Sequence, residues 1–281
     1  MIVISSKIWY FFSIIEFKIK AIIYIKIIFK SYLEEITMKI AVVTDSTAYL
    51  TAKEVADYQI HVVPIPFTID GKDYQEGVDI TTEDFYRELK TSKTFPSTSQ
   101  PPIGEMMELY QKLADEGYEA VISIHLAKSI SGFLNNIQLL AEQMKDTIKI
   151  VPFDSQITVK LMGQLAIEAA KLVDQGDDVD TIVDKLIKLR ATIHDDFVVD
   201  DLQNLVRGGR LSNASAFVGS ILRIKPLLSF DNPNHAIEAF EKVRSMKKAK
   251  LRVEQIFDES LAKTDYPVRA YVFHAAAEEA G

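Results

Sequence analysis

Three short apolar runs restrict the fold of this chain more than any other feature: "KIAVVTDST" (39–47), "EAVISIHL" (119–126) and "TIKIVPFDS" (147–155). Each breaks into a polar loop, and each is followed by a helix-like pattern. Strands that read as continuous apolar runs are buried on both faces, and strands that alternate with helices pair in parallel. The expected class is therefore α/β, with a parallel sheet covered by helices.

The intervening segments fit that frame. Asp45-Ser46-Thr47 is placed to cap a helix near "LTAKEVADY", and "ITTEDFYRELK" has Thr81 or Thr82 as a cap with Phe85 and Leu89 on one face. "IHVVPIPFTID" reads as a further strand, with Gly71 at a turn. Ile103, Met106, Met107, Tyr110 and Leu113 recur at helical spacing, as do Leu134, Ile137, Ala141 and Met144, and helical stretches continue through about Leu189. Around Gly208-Gly209 the character changes. "ILRIKPLLSF" and "HAIEAFEKV" look like paired strands, and "SMKKAKLRVEQIFDESL" is helical. The expected organisation is an α/β domain over 38–192 and a smaller α+β domain over 193–281.

The chain of 281 residues is 48% apolar and 26% charged, which is globular composition with enough length for one or two domains. Its net charge of −8 argues against general nucleic-acid binding, which needs clustered Lys and Arg. The absence of cysteine removes disulfides, thiolate zinc sites and thiol nucleophiles, and is compatible with a reducing cytoplasm.

Residues 1–37 differ from the rest. They are dense in Ile, Lys, Phe and Tyr, and Glu16, Lys18, Lys20, Lys26 and Lys30 interrupt every window of the roughly 20 apolar residues that a membrane-spanning helix needs. No signal-peptide order or Ala-x-Ala cleavage site is present. Two readings stand: a membrane-surface helix, or the accidental translation of AT-rich DNA. The second is preferred. "EEITM" can be encoded by a purine-rich ribosome-binding sequence before Met38, which makes 1–37 an untranslated leader and Met38 the expected start.

The chemistry is expected in loops beyond the carboxyl ends of strands, where open α/β sheets bind ligands. Three hydroxyl-bearing segments qualify: Asp45-Ser46-Thr47, Ser97-Thr98-Ser99 within "TFPSTSQPP", and Ser129-Ile130-Ser131-Gly132. Helix N-termini favour anions, so plain helix capping and an anionic ligand are both open for each loop. Neither G-x-x-x-x-G-K-[ST] nor G-x-G-x-x-G occurs, and the first strand ends in a single aspartate rather than a pair. A serine hydrolase built on Ser131 with His125 or His274 can be drawn, but "SISGF" is not a G-x-S-x-G elbow. His125, inside an apolar run, reads as a core histidine; His61 and His194 carry no spacing signal.

Taken together and in order, "KIAVVTDST", "VVPIPFTIDGKDYQEGVDIT", "STSQPP", "SISG" and "LVRGGRLSNASAFVGSILRIKPLL" resemble the bacterial DegV family from Met38 onward. The resemblance implies a two-domain DegV-like fold and a cytoplasmic, non-enzymatic protein. Such a protein binds a long-chain fatty acid such as palmitate, with a role in lipid transport or fatty-acid metabolism. Some members of the family present the bound acid to a separate ATP-dependent fatty-acid kinase, and the resemblance extends that expectation to this chain. Carried over, Thr98 and Ser131 hold the carboxylate, Ser99 is a neighbour, Asp45 and Ser46 line the same area, and Arg210 lies near the head group and the kinase. No cofactor, metal, nucleic acid or stable membrane insertion is implied.

The energetics agree with that reading. A tail of about sixteen carbons buries roughly 14 methylenes at ~0.8 kcal/mol each, about 11 kcal/mol of gross transfer drive. The carboxylate opposes burial unless it is hydrogen-bonded, and Ser and Thr hydroxyls supply such bonds. Two departures stand out. Phe133 follows the Ser-Gly dipeptide where the family usually has Thr, and the chain stops at "VFHAAAEEAG", before the family's final strand and its Gly- and His-containing loop. Weak fatty-acid binding, low thermal stability and self-association are the expected consequences. The alternatives are a Ser- or Asp-dependent hydrolase or phosphotransferase, or an inactive truncated paralogue.

Overall fold

The structure, a computed structural model, describes residues 38–217 and 224–275. The expected leader 1–37, the start of "ILRIKPLLSF" and the last six residues lie outside the described residues. Ten strands and eight α-helices are described. The strands are β1 (Ile40–Asp45), β2 (His61–Val63), β3 (Pro66–Ile69), β4 (Lys72–Gln75), β5 (Ser97–Thr98), β6 (Ala120–His125), β7 (Lys149–Asp154), β8 (Phe197–Val198), β9 (Lys225–Ser229) and β10 (Glu238–Val243). The helices are α1 (Ala52–Tyr58), α2 (Thr82–Thr91), α3 (Ile103–Asp115), α4 (Phe133–Gln143), α5 (Val159–Asp174), α6 (Val179–Arg190), α7 (Gln203–Arg207) and α8 (Met246–Leu261).

The three apolar runs become β1, β6 and β7 of a parallel four-stranded sheet with order β2-β1-β6-β7. Alternate residues of the central strands feed two cores, which is why those strands read as continuous apolar runs. Ile40, Val42, Ile122 and Ile124 face Met162, Leu165, Ala166 and Ala169 of α5 and Ile182 and Leu186 of α6. Ala41, Val43 and Val121 face Met106, Tyr110 and Leu113 of α3 and Phe133, Ile137 and Leu140 of α4. Pro152, which cannot donate to a ladder, sits on the edge strand β7.

"IHVVPIPFTID" is not one strand. Its prolines divide it: β2 joins the parallel sheet, and β3 is the centre of a separate antiparallel sheet of order β4-β3-β5. Asp45 caps a single 3-10 turn over Ser46–Ala48, and α1 begins only at Thr51, whose hydroxyl and Glu54 form a reciprocal capping box. Thr81, not Thr82, caps α2. The later strands form a third sheet, order β10-β9-β8, entirely antiparallel. Leu228, Phe230, Ile237 and Ala239 from this part of the chain belong to the same apolar cluster as α5 and α6. Residues 264–275 form no strand, although Tyr271 bonds Gln164 of α5 through its hydroxyl.

Candidate functional site

β1, β6 and β7 are parallel, so the loops after Asp45, His125 and Asp154 emerge at one end of the sheet. Two of the three hydroxyl loops begin there. The third reaches the same place from the side. β5 pairs with β3 in the register Phe67 to Thr98 and Thr68 to Ser97, and the Ser99 N–H donates to the Pro66 carbonyl at 3.0 Å. That pairing fixes the backbone of "STSQ" and leaves its hydroxyls outward. Thr98 and Ser99 are exposed, and among the described residues their hydroxyls make no hydrogen bond.

Gln100 joins this segment to the Ser-Gly loop. Its Oε1 accepts from Asn136 Nδ2 at 2.6 Å, and its Nε2 lies where a Cβ on Gly132 would stand, 2.9 Å away. Only a residue without a side chain admits this approach. In the loop itself the Ser131 N–H donates to the Ala127 carbonyl at 3.1 Å, and Ser131 Oγ accepts from Phe133 N at 3.2 Å, which orients the hydroxyl at the start of α4. Arg210 reaches in from the later half: its Nε donates to the Ile130 carbonyl at 3.2 Å, and its guanidinium also bonds the Gly208 carbonyl at 2.5 Å. Ser129 bonds the His235 carbonyl through its hydroxyl. Gln100, the residue after Ser99, and Arg210 thus both meet the loop that holds Ser131, at Gly132 and Ile130.

The first loop is organised differently. Asp45 is fully buried, and its Oδ1 accepts from Thr47 N at 3.1 Å while its Oδ2 pairs with His125 Nδ1 at 2.8 Å. The Ser46 hydroxyl donates to Glu76 Oε2 at 2.6 Å and accepts from Ile65 N at 3.0 Å. Tyr49 donates to the other Glu76 oxygen at 3.2 Å. The structure therefore gives Asp45 and Ser46 internal partners. Helix α5 supports this turn closely, since Ala48 O stands only 2.4 Å from where a Cβ on Gly163 would be.

Neither histidine drawn as a base for Ser131 is joined to it. His125 is buried and turned toward Asp45 and Ser123; His274 is exposed. An Asp–His–Ser chain does form among the described residues, Asp45–His125–Ser123, but it ends on a serine with no solvent exposure whose Oγ is also bonded to Tyr110. Among the described residues no group of His, Cys, Asp or Glu has the arrangement of a metal site, and no helix is long and apolar enough to cross a membrane. Gln100, Asn136 and Glu76 were not singled out from the sequence. Their roles rest on contacts between distant segments, although Gln100 and Glu76 lie inside segments that were.

A helix-covered parallel sheet with hydroxyl-bearing loops beyond one end defines an α/β class of protein, whose ligands bind at that end when they bind. The family model described as "Uncharacterised protein, DegV family" matches residues 39–281, and the chain belongs to the DegV family. It is 44% identical over 243 residues to Protein DegV of Bacillus subtilis, covering 86% of this chain and 85% of that one. Among solved structures it is similar to a fatty acid binding DegV family protein from Streptococcus agalactiae, with a TM-score of 0.75 and 41% identity over 81% of this chain and 80% of that one. It is also similar to DegV, a fatty acid binding protein from Bacillus subtilis, with a TM-score of 0.73 and 43% identity over 81% and 79% of the two chains.

Proposed function

We propose that this chain binds a long-chain fatty acid, of the palmitate class, as a cytoplasmic carrier in lipid transport or fatty-acid metabolism. On this reading Thr98 and Ser131 hold the carboxylate and Ser99 is a neighbour. The observation that carries it is the meeting of two hydroxyl loops at Gln100 and Gly132, in a chain whose relatives of solved structure are described as fatty acid binding. Thr98 and Ser99 offer unengaged hydroxyls, and Ser131 is oriented by Phe133 N with its own proton left to donate. Such donors satisfy a carboxylate without a salt bridge, which leaves the head group transferable.

The role belongs to a carrier rather than an enzyme, and the acid is presented to a separate ATP-dependent kinase on the face where Arg210 lies. The division into an α/β domain before about residue 193 and an α+β domain after it is part of the same reading; the antiparallel sheet β10-β9-β8 draws only on residues of the later part. Native mass spectrometry of the purified chain, with lipid extraction, tests the function. Acyl chains that co-purify, or that are taken up when offered, support it. Protein that carries none, and takes up none when offered, overturns the reading.

A further inference from the structure

We propose that His125 is a positioning residue for the carboxylate site, acting through a buried relay that sets the three hydroxyl loops in register; this rests on the fatty-acid reading above. The relay runs from Tyr110 OH to Ser123 Oγ (2.7 Å), from Ser123 Oγ to His125 Nε2 (2.8 Å), and from His125 Nδ1 to Asp45 Oδ2 (2.8 Å). Asp45 Oδ1 then holds both the N–H and the hydroxyl of Thr47. Tyr110, Ser123, His125 and Asp45 have no solvent exposure.

Taking Asp45 as a carboxylate fixes the direction of the chain. An ionised carboxylate only accepts, so His125 Nδ1 carries a proton and donates to Asp45. In the neutral ring Nε2 then accepts from Ser123, whose oxygen accepts from Tyr110. Every hydrogen has one acceptor. A doubly protonated ring would donate from Nε2 and turn Ser123 toward the Tyr110 oxygen, which leaves a phenol proton buried and without a partner in the relay. Burial raises the Tyr110 phenol above its ordinary range, which keeps that proton in place.

The elements joined are those that carry the loops. Tyr110 lies about two turns into α3, the helix that follows "STSQPP". His125 is the last residue of β6, just before the loop that contains Ser131, and Asp45 is the last residue of β1, just before Ser46–Ala48. The His125 ring also packs edge-on against Phe133, with centroids 4.6 Å apart, and Phe133 is the residue whose N–H orients Ser131. An apolar cluster would fill the same volume without leaving Asp45 to be compensated. A directional chain of bonds instead admits one relative placement of α3, β6 and β1, as buried polar networks do when every member is satisfied.

The test combines a spectrum with a selectivity ratio. Long-range 1H–15N spectra of the ligand-free wild-type chain should show His125 neutral and protonated on Nδ1; an imidazolium or an Nε2–H ring overturns the relay. Binding is then measured for a fluorescent long-chain acid and for its methyl ester, which keeps the tail and loses the charge. His125→Phe should weaken the acid by about tenfold and the ester by no more than about twofold, with partial recovery in His125→Asn, whose amide restores a donor toward Asp45. A folded His125→Phe variant with an unchanged acid-to-ester ratio overturns the positioning role. If His125→Phe does not fold, Tyr110→Phe removes only the end of the chain, and a lowered acid-to-ester ratio is expected; an unchanged one overturns the role. Wild-type chain that binds neither ligand overturns the fatty-acid reading and the positioning role with it, and the ring spectrum then decides separately whether the relay exists as structure.

Discussion

The side-chain amide of Gln100 occupies the space that a Cβ on Gly132 would take, with Nε2 only 2.9 Å from that point. This single approach couples the segment holding Thr98 to the start of α4, where Ser131 is fixed. The backbone at Gly132 has φ −79, so alanine is sterically allowed there as far as the main chain is concerned. What must yield is the flexible end of Gln100. Gly132→Ala is expected to leave unfolding free energy within about 0.5 kcal/mol of wild type but to lower fatty-acid affinity several-fold, as Gln100 leaves Asn136. Urea unfolding and a fluorescent-acid titration on the same sample check both halves. Unchanged affinity would show that Gln100 plays no part in placing the site.

The same substitution at Gly163 is expected to act on stability instead. Gly163 lies inside α5, where alanine ordinarily stabilises by roughly 0.5–1 kcal/mol. Here a Cβ would meet the backbone oxygen of Ala48 at 2.4 Å and Leu50 Cδ2 at 3.0 Å. A backbone carbonyl cannot swing aside, so overpacking at about 1–3 kcal/mol wins over propensity. Gly163→Ala should lower the urea midpoint and disturb the Ser46–Ala48 turn. A stabilised variant would mean that this close approach is not maintained in solution.

These two glycines illustrate what was legible in the sequence and what was not. The parallel sheet could be read because β1, β6 and β7 are buried on both faces and so lack alternation. The strands β4 and β8 escaped notice because they are short and pair with neighbours that no local pattern announces. "TFPSTSQPP" read as a loop, yet Ser97–Thr98 pairs with β3, a contact some thirty residues away in the chain. The hydroxyl loops were visible as composition. Their convergence was not, since it depends on Gln100, Gly132 and Arg210 meeting from three segments. His125 read correctly as a core histidine, but its partner Asp45 lies 80 residues away, and no spacing rule connects them.

A half-buried acid in the later part of the chain, Asp195, provides a pH-dependent prediction. The Asp195 carboxyl is pushed up to about 6, chiefly by burial and further by the charges of Asp196 and Asp231, while bonds from Phe230 N and the Ser229 hydroxyl partly oppose the shift. The folded state therefore holds the proton more tightly than the unfolded chain does. That contribution to stability is complete below about 3.8, the ordinary value, and is lost as pH rises through about 6. Asp195→Asn keeps an acceptor for Phe230 N and carries no charge. It is expected to exceed wild type in stability by on the order of 1–2 kcal/mol near pH 7.5, with the gap closing toward pH 4. Urea unfolding at both pH values checks this, and a gap independent of pH would contradict it.

The two proposed carboxylate ligands differ in how the fold uses them, and so their alanine variants should differ. The Thr98 hydroxyl is exposed and makes no hydrogen bond among the described residues, while the backbone on either side is held by pairing to Phe67 and Pro66. Nothing in the fold depends on that hydroxyl. Thr98→Ala should therefore melt with wild type and lose fatty-acid affinity by roughly 1–3 kcal/mol, the usual consequence of leaving a buried acceptor short of a donor. Ser131 is half-buried and accepts from Phe133 N at the first residue of α4. Its removal leaves that N–H without its partner, so Ser131→Ala should lose a similar amount of affinity and also about 0.5–2 kcal/mol of stability. Both hydroxyls serve one carboxylate, so the double variant should fall short of the sum of the single affinity losses. Calorimetric titration and thermal melts of the three variants separate these outcomes. Affinity unchanged in the double variant would remove the carboxylate from this pair of loops.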